Sequence, residues 1–417
     1  MNKTTDEQQR LITEAVKRQR KPRESLEMMA RRLGIGPKTF QRIRNDGYFP
    51  SEKELDNLHI PILLWEAAGL QQTSRLPSGL PSAICSADIF ADELYDLSTR
   101  TSPMRLPQLR VDGCFELLHS YCYRGWSVEN IDFKTAKDPA VLAPDLEHLC
   151  ESHPERRPNN PKLQLVGLGP YSSETALSIR FAPTSYFKTR PIQRFLNEPV
   201  LIDISGQEIT PLKKYGAKLL HFDNCELPSP VACVIIVALR GNLLLLGQRA
   251  AQTDLDWGRG KWACSIDEQM SGPPLPDTSE DRPIDITFFD TIKRGIEEEI
   301  GVEALDRIRE IRILSLIFGS NLFVSAVALV ELDMDIDQVK ECDPLDGQAE
   351  IRQISCVDWT IEALAPVLYR RTIDVSGASI GPTDWDNTSR MRILASLYYK
   401  YRDIGIEGVN RRLRLLA

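Results

Sequence analysis

The chain has no Cys-x-x-Cys pair, and its nine cysteines are scattered singly. An odd number of thiols without framework spacing argues against a disulfide scaffold and predicts reduced cysteines in a cytoplasmic protein. Histidine is scarce, five in 417 residues and none at ligand spacing, so a zinc site is not expected. The longest apolar run, "VACVIIVAL" at Val231–Leu239, is too short to span a bilayer, so no membrane partner is expected. The N-terminus is polar and lacks the apolar stretch of a secretory leader. Internal repeats and long low-complexity tracts are missing too. What is present is 42% apolar and 26% charged, the composition of a soluble globular chain long enough for several domains.

The charge is uneven. Residues 1–50 hold twelve Lys/Arg and six Asp/Glu, a local +6, so against the total of -8 the other 367 residues carry -14. A basic head on an acidic body points to a separate task for the head. In "SLEMMARRLGIGPKTFQRIRNDGYFPS" (25–51), Ser25 can cap a helix whose apolar positions are Met28, Met29 and Leu33. Gly34 breaks that helix, Ile35 packs the turn, and Pro37 suits the first turn of a second helix bearing Phe40 and Ile43. Ala30 is small where two helices must approach closely. This pattern resembles a helix-turn-helix, with Met29, Ala30, Leu33, Gly34, Ile35, Phe40 and Ile43 at the restricted positions. The second helix would present Lys38, Thr39, Gln41, Arg42 and Arg44 to DNA, cations to phosphates and Gln or Arg to base edges. A helical bundle with a merely solvated basic face, or a protein-docking module, is the alternative. Helices at 52–58 and 61–70 would complete a domain over 1–72, followed by a Ser/Thr/Pro-rich linker over 73–107.

Residues 108–226 read as a middle α/β region. A helix is expected at 114–122, strands at 162–169, 176–187 and 199–203, and a short helix at 189–197. No catalytic constellation stands out there. "GLGPYSS" (167–173) lacks the Lys-Ser/Thr ending of a phosphate loop.

After Pro228 the pattern changes. Val231–Leu239 and Leu243–Arg249 flank a short turn signal, "RGN", and read as a buried hairpin. A loop and strand follow at 257–272, then a proline-rich loop at 273–283. Ile286, Phe289, Ile292, Ile296 and Ile300 are spaced as one apolar helix face. On that wheel Glu298 lies opposite the face's centre and Glu299 at its edge, with Gly295 between them. Arg294 stands one turn before Glu298, and Glu297 points elsewhere. Gly301 ends the helix. Taken alone, this could be an amphipathic helix with a solvated acidic face.

With its surroundings the stretch resembles the second half of the Nudix box, R-E-U-x-E-E-x-G-U with U aliphatic. Arg294, Ile296, Glu298, Glu299, Gly301 and Val302 match. The hairpin ending in Arg249, the "GKW" strand entry at 260–262 and the strands after the helix add to the likeness, which covers 228–375. The resemblance implies that Glu298 and Glu299 hold Mg²⁺, or Mn²⁺ in its place, that Arg294 orients them, and that Arg249 and Glu268 meet substrate. Carboxylates suit Mg²⁺ because it takes hard oxygen ligands, and a guanidinium holds carboxylates in fixed geometry. Two departures stand out. Gly295 replaces the pattern's Glu, and the first half of the box, G-x5-E-x7-R, is not in register: Ile286 falls on the Glu position and Glu280 on the Gly position. Asp285 or Glu268 could restore a carboxylate, though neither is in register.

The expected fold is multidomain α+β. It has a helical helix-turn-helix domain, the middle region, a Nudix-like α/β/α sandwich with a mixed sheet over 227–375, and C-terminal helices over 376–417. Three functions fit. The first is a Mg²⁺-dependent hydrolase of a nucleoside diphosphate derivative coupled to DNA binding. The second is a catalytically inactive, ligand-sensing transcriptional regulator, and the third a nucleotide-responsive interaction protein. DNA half-site symmetry would call for a homodimer.

Overall fold

The computed structural model describes residues 16, 25–33, 35, 37–45, 109–112, 114–155, 158–168, 175–216, 222, 226–250, 259–278, 283–319, 321–345 and 351–417. The chain divides into two compact units, Met1–Ser78 and Gly79–Ala417. The helices expected at 52–58 and 61–70, the linker at 73–107 and most of the "GLGPYSS" stretch lie outside the described residues.

In the first unit, α1 (Leu26–Arg32) and α2 (Pro37–Asn45) pack on each other. The Ser25 hydroxyl accepts the Met28 N–H at 3.2 Å, satisfying one of the donors that a helix start leaves open. The chain then turns, and the Ile35 N–H donates to the Ala30 carbonyl at 2.9 Å. Met29, Ala30, Ile35 and Phe40 are buried. Met28, expected among the apolar contacts, is instead 62% exposed. Adjacent helical residues point about 100° apart, so the stripe that faces α2 takes Met29 and turns Met28 out.

The second unit is mixed α+β. Its first part holds β1 (Arg110–Val111), β2 (Cys114–His119), β3 (Ile131–Thr135), α3 (Pro144–Ser152), β4 (Pro161–Leu168) and β5 (Leu177–Ser185). Next come α4 (Tyr186–Arg194), β6 (Leu201–Ile202), β7 (Glu208–Ile209) and α5 (Pro211–Tyr215). Its second part holds β8 (Val231–Leu239), β9 (Leu243–Arg249), β10 (Trp262–Ala263), β11 (Ile266–Gln269), α6 (Phe288–Glu299), β12 (Ile308–Gly319) and β13 (Val324–Leu332). It closes with α7 (Ile336–Glu341), β14 (Ile351–Asp358), α8 (Ile361–Leu368), β15 (Ile373–Val375), β16 (Ala378–Ile380), α9 (Ser389–Lys400) and α10 (Gly405–Leu416). Among the described residues no helix is long and apolar enough to cross a membrane.

A nine-stranded mixed sheet organises this unit, in the order β1-β2-β12-β13-β8-β9-β10, with β11 also on β8 and β14 also on β9. β13 and β8 run parallel. β8 is buried at every position because both faces of the sheet are covered, which is why its sequence is a continuous apolar run and not an alternating one. One face packs on α6 and on β3–β5 and α4, through Phe181, Ile192, Phe288, Ile292 and Ile296. The other packs on α8, α9 and α10, through Ile361, Leu364, Leu394, Leu397 and Val409.

The 114–122 stretch, expected to be a helix, is strand β2 followed by a 3-10 turn at Tyr121–Tyr123. Phe115 and Leu117 enter one core while Cys114 enters the other, so both faces of β2 are buried and no period-2 polarity survives to mark a strand. β2 pairs with β12, so this part of the middle stretch shares the large sheet.

The β8–β9 turn carries Gly241 and Asn242 at φ +78° and +65°, the left-handed backbone that a tight hairpin requires. The two strands pair only beside that turn, at Ala238–Leu244 and Leu239–Leu243. Beyond it β8 takes β11, and β9 takes β10 and β14. The sheet splits there, and the end of α6 lies against the split.

Candidate functional site

α6 begins two residues later than the apolar spacing predicts. Thr287 caps it reciprocally with Asp290, so Ile286 stays outside the helix and is 66% exposed. Phe288, with Phe289, Ile292, Ile296 and Ile300, forms the buried face instead. At the other end Gly301, at φ +138°, turns the chain out, and its N–H donates to the Ile296 carbonyl at 3.1 Å.

Part of the polar side of α6 faces β11, while Asp290 and Lys293 are exposed. On the β11 side Arg294 is only 8% exposed. Its Nη1 donates to Glu268 Oε1 at 2.7 Å and to Glu298 Oε2 at 3.2 Å. Its Nη2 donates to Asp285 Oδ2 and to the Gln269 carbonyl, each at 2.8 Å, and its Nε to Asp285 Oδ1 at 3.3 Å. Burial alone would lower the arginine's pKa, but the charges of Glu268 and Asp285 outweigh it and push the value up. The guanidinium is therefore a permanent cation gripped by three carboxylates.

Glu298 and Glu299 end the helix. Glu299 is buried, and Glu297 and Glu298 are half-buried. The helical wheel puts Glu298 opposite the apolar face, and there it meets Arg294 beside β11 and is half-buried.

Glu299 lines a small open notch in the sheet's split, with room for about one water, together with Gly247, Arg249, Ser265, Ile266, Asp267 and Ile351. Arg249 Nη2 donates to Asp267 Oδ2 at 2.8 Å. The structure thus gathers Arg294, Glu298 and Glu268 around one guanidinium and sets Arg249 and Glu299 along one notch, joined through the consecutive pairs Asp267–Glu268 and Glu298–Glu299. Among the described residues no three Asp, Glu, His or Cys side chains surround a point that would hold a metal. Burial pushes the Cys264 thiol, beside the notch, up to about 12, far from the thiolate that a nucleophile needs.

Two residues escaped the sequence reading. Asp267 holds Arg249, and Arg392 of α9 reaches through the unit to pair with Asp267. The available signal for Arg392 was an arginine inside "MRILASLYY", an apolar stretch that must provide it with a buried partner.

In the first unit Lys38 and Gln41 are exposed on α2 and Thr39 is half-buried. The side chains of Arg42 and Arg44 lie outside the described residues.

No family model matches the chain. No curated protein matches it either. Among solved structures it is similar to DR0079 from Deinococcus radiodurans, at 13% identity and a TM-score of 0.24, over 36% of this chain and 76% of that one.

Proposed function

We propose that residues 227–375 form a Nudix-type domain that hydrolyses a diphosphate linkage in a nucleoside diphosphate derivative with Mg²⁺ or Mn²⁺. The N-terminal unit would be a DNA-binding helix-turn-helix. The observation that carries the enzymatic reading is the end of α6, where a consecutive glutamate pair follows an arginine pinned by three carboxylates, with Arg249 across the notch from Glu299. The donor chemistry fits the ion: Glu298 and Glu299 offer hard carboxylate oxygens, and a second strand brings another acid, Glu268, to the same guanidinium. When bound, the cation offsets charge on the diphosphate and activates a water. Arg294 fixes the carboxylates. Arg249, braced by Asp267, meets a phosphate oxygen. Hydrolysis adds water across the P–O–P bridge and leaves two phosphate ends.

One observation favours a second reading, a catalytically inactive ligand-sensing regulator. Glu268 and Glu298 are both tied to Arg294, and among the described residues no group of three ligating side chains is assembled.

Cleavage of a panel of nucleoside diphosphate derivatives to nucleoside monophosphate with Mg²⁺ separates the two. Turnover in the wild type that falls at least about 100-fold in Glu298→Gln/Glu299→Gln supports the hydrolase. No turnover on any compound, with a nucleotide still raising the melting temperature, supports the sensor. For the N-terminal unit, DNA affinity should fall steeply with salt. Replacing Lys38 and Arg44 by Ala should flatten the slope by about one phosphate contact each. Salt-independent association would point to protein docking.

A further inference from the structure

Residues 390–417 form a second basic stretch, with seven Lys/Arg and two Asp/Glu, a local +5. With +6 in residues 1–50 and -8 overall, residues 51–389 carry -19. Two of the seven cations, Arg390 and Arg392, are buried and paired with Asp112 and Asp267. The others lie on or beside α10. That helix docks through one stripe, where Val409, Asn410 and Leu413 are buried. The Tyr369 hydroxyl donates to the Leu413 carbonyl at 2.7 Å, and the Tyr398 hydroxyl to Asn410 Oδ1 at 2.8 Å. At about 100° per residue, this anchoring turns Arg411, Arg412 and Arg414 outward, and all three are exposed.

Beside α10 the cations rest on rings and not on carboxylates. The Arg412 guanidinium lies over the Tyr401 ring at 5.8 Å. The Lys400 ammonium stands 5.5 Å from that ring and 4.8 Å from the ring of Trp359. Trp359 stacks on Tyr399 at 6.4 Å with the planes 2° apart, and Arg402 closes the row over Tyr399 at 4.9 Å. Among the described residues no carboxylate pairs with Arg402, Arg411 or Arg412. Exposed arginines elsewhere on the unit do sit on acids: Arg240 on Asp333 and Asp335, and Arg309 on Asp333. A ring fixes a cation without neutralising it. The guanidinium keeps its charge and its N–H edge, which together take a phosphate in two parallel hydrogen bonds.

We propose that the outer face of α10, with the row from Arg412 to Arg402 beside it, grips the phosphate backbone of duplex DNA without reading its sequence. The charge surplus fits a polyanion. The -19 carried by residues 51–389 repels one, so the local cations decide where it lands. The rings are occupied by cations, and Trp359 and Tyr399 are buried, so they are not a platform for unpaired bases. Backbone contact through exposed arginines is what remains, and it suits a duplex. This contact does not depend on the helix-turn-helix reading of the first unit.

The test is binding of the full chain to a labelled duplex of about 20 base pairs and arbitrary sequence, followed by fluorescence anisotropy from about 50 to 200 mM salt, with thermal melting alongside. Arg411→Gln/Arg412→Gln/Arg414→Gln should weaken binding about tenfold or more at low salt and flatten the log–log salt slope by about two to three. Lysine at the same three positions keeps the charges and should restore most of that slope. Arg402→Gln alone should remove about one contact. Arginines in the last turns of a helix also complement its dipole, and that role alone would lower the melting temperature and leave DNA binding unmoved. A glutamine variant that binds the duplex like the wild type therefore overturns the inference. So does a wild type that binds poly-glutamate as tightly as DNA, which would make the face a dock for acidic protein. A slope flattened by the α10 variant and not by Lys38→Ala upholds this contact and removes DNA from the first unit. The reverse result overturns this contact and leaves the first unit's reading standing.

Discussion

Asp267 and Glu268 are neighbours on β11, and each is gripped by a buried arginine from a different helix. On one side Arg294 of α6 holds Glu268, Asp285 and Glu298. On the other Arg392 of α9, wholly buried, pairs with Asp267 and, at 3.8 Å, with Asp386. Arg392 also donates to the carbonyls of Cys264 and Ile266, each at 3.2 Å, and to the Thr388 hydroxyl. Asp267 is shared with Arg249, so that side sets two arginines against two carboxylates. On the α6 side Arg294 holds three carboxylates at once. Buried charge is costly unless it is matched, so a balanced cluster can serve as a frame. On the proposed reading, the frame lies under α9 and the chemistry at the end of α6.

If that division holds, removing the frame's cation should cost stability and spare the ion. Arg392→Met leaves Asp267 and Asp386 without their buried partner, an expected loss of about 3–5 kcal/mol in denaturant unfolding. Mn²⁺ binding by the surviving folded protein should stay close to wild type. Parallel loss of both would merge the two clusters into one site and break the comparison.

A smaller effect tests the frame by titration. Burial would raise the Asp386 pKa, but Arg392 and the Ser389 and Thr388 hydrogen bonds overcome it and hold the carboxyl below its ordinary value. A carboxylate with a depressed folded-state pKa stabilises the fold above the unfolded-state value. It loses that contribution as pH falls through the depressed one. Unfolding free energy should therefore drop from about pH 4 downward, and Asp386→Asn should flatten that acid limb. An unchanged acid limb would remove Asp386 from the frame.

What the sequence made legible follows from range. The β8–β9 hairpin, the apolar face of α6 and the Arg294–Glu298 pairing are set by residues a few positions apart, where period and spacing speak directly. The bonds from Arg294 to Glu268 and Asp285 join residues 26 and 9 positions apart, and Arg392 meets Asp267 across 125. No local pattern encodes such pairings; they exist only once β11 is registered on β8. The strand at 114–119 was hidden for a related reason, since burial on both faces erases the alternation that identifies a strand. Ile286 was misread because the spacing continued past a stronger signal, the reciprocal cap of Thr287 and Asp290.

The smallest expected change sharpens the comparison most, because it alters one atom at the boundary between α6 and β11. Gly295→Ala adds a Cβ 3.2 Å from Glu268 Cβ and 3.3 Å from Ile235 Cδ1. Ile235 can swing its terminal methyl aside, but Glu268 Cβ is fixed to a registered strand, so the helix or the strand must shift by a few tenths of an ångström. Against this, alanine in a helix interior gains about 0.5–1 kcal/mol over glycine. The two nearly cancel, and stability should stay within about 1 kcal/mol of wild type. The Glu268 carboxylate, carried on the displaced Cβ, should not escape so lightly, and Mn²⁺ affinity should fall while the melting temperature barely moves. If both stay unchanged, the close approach of Gly295 to Glu268 is only packing.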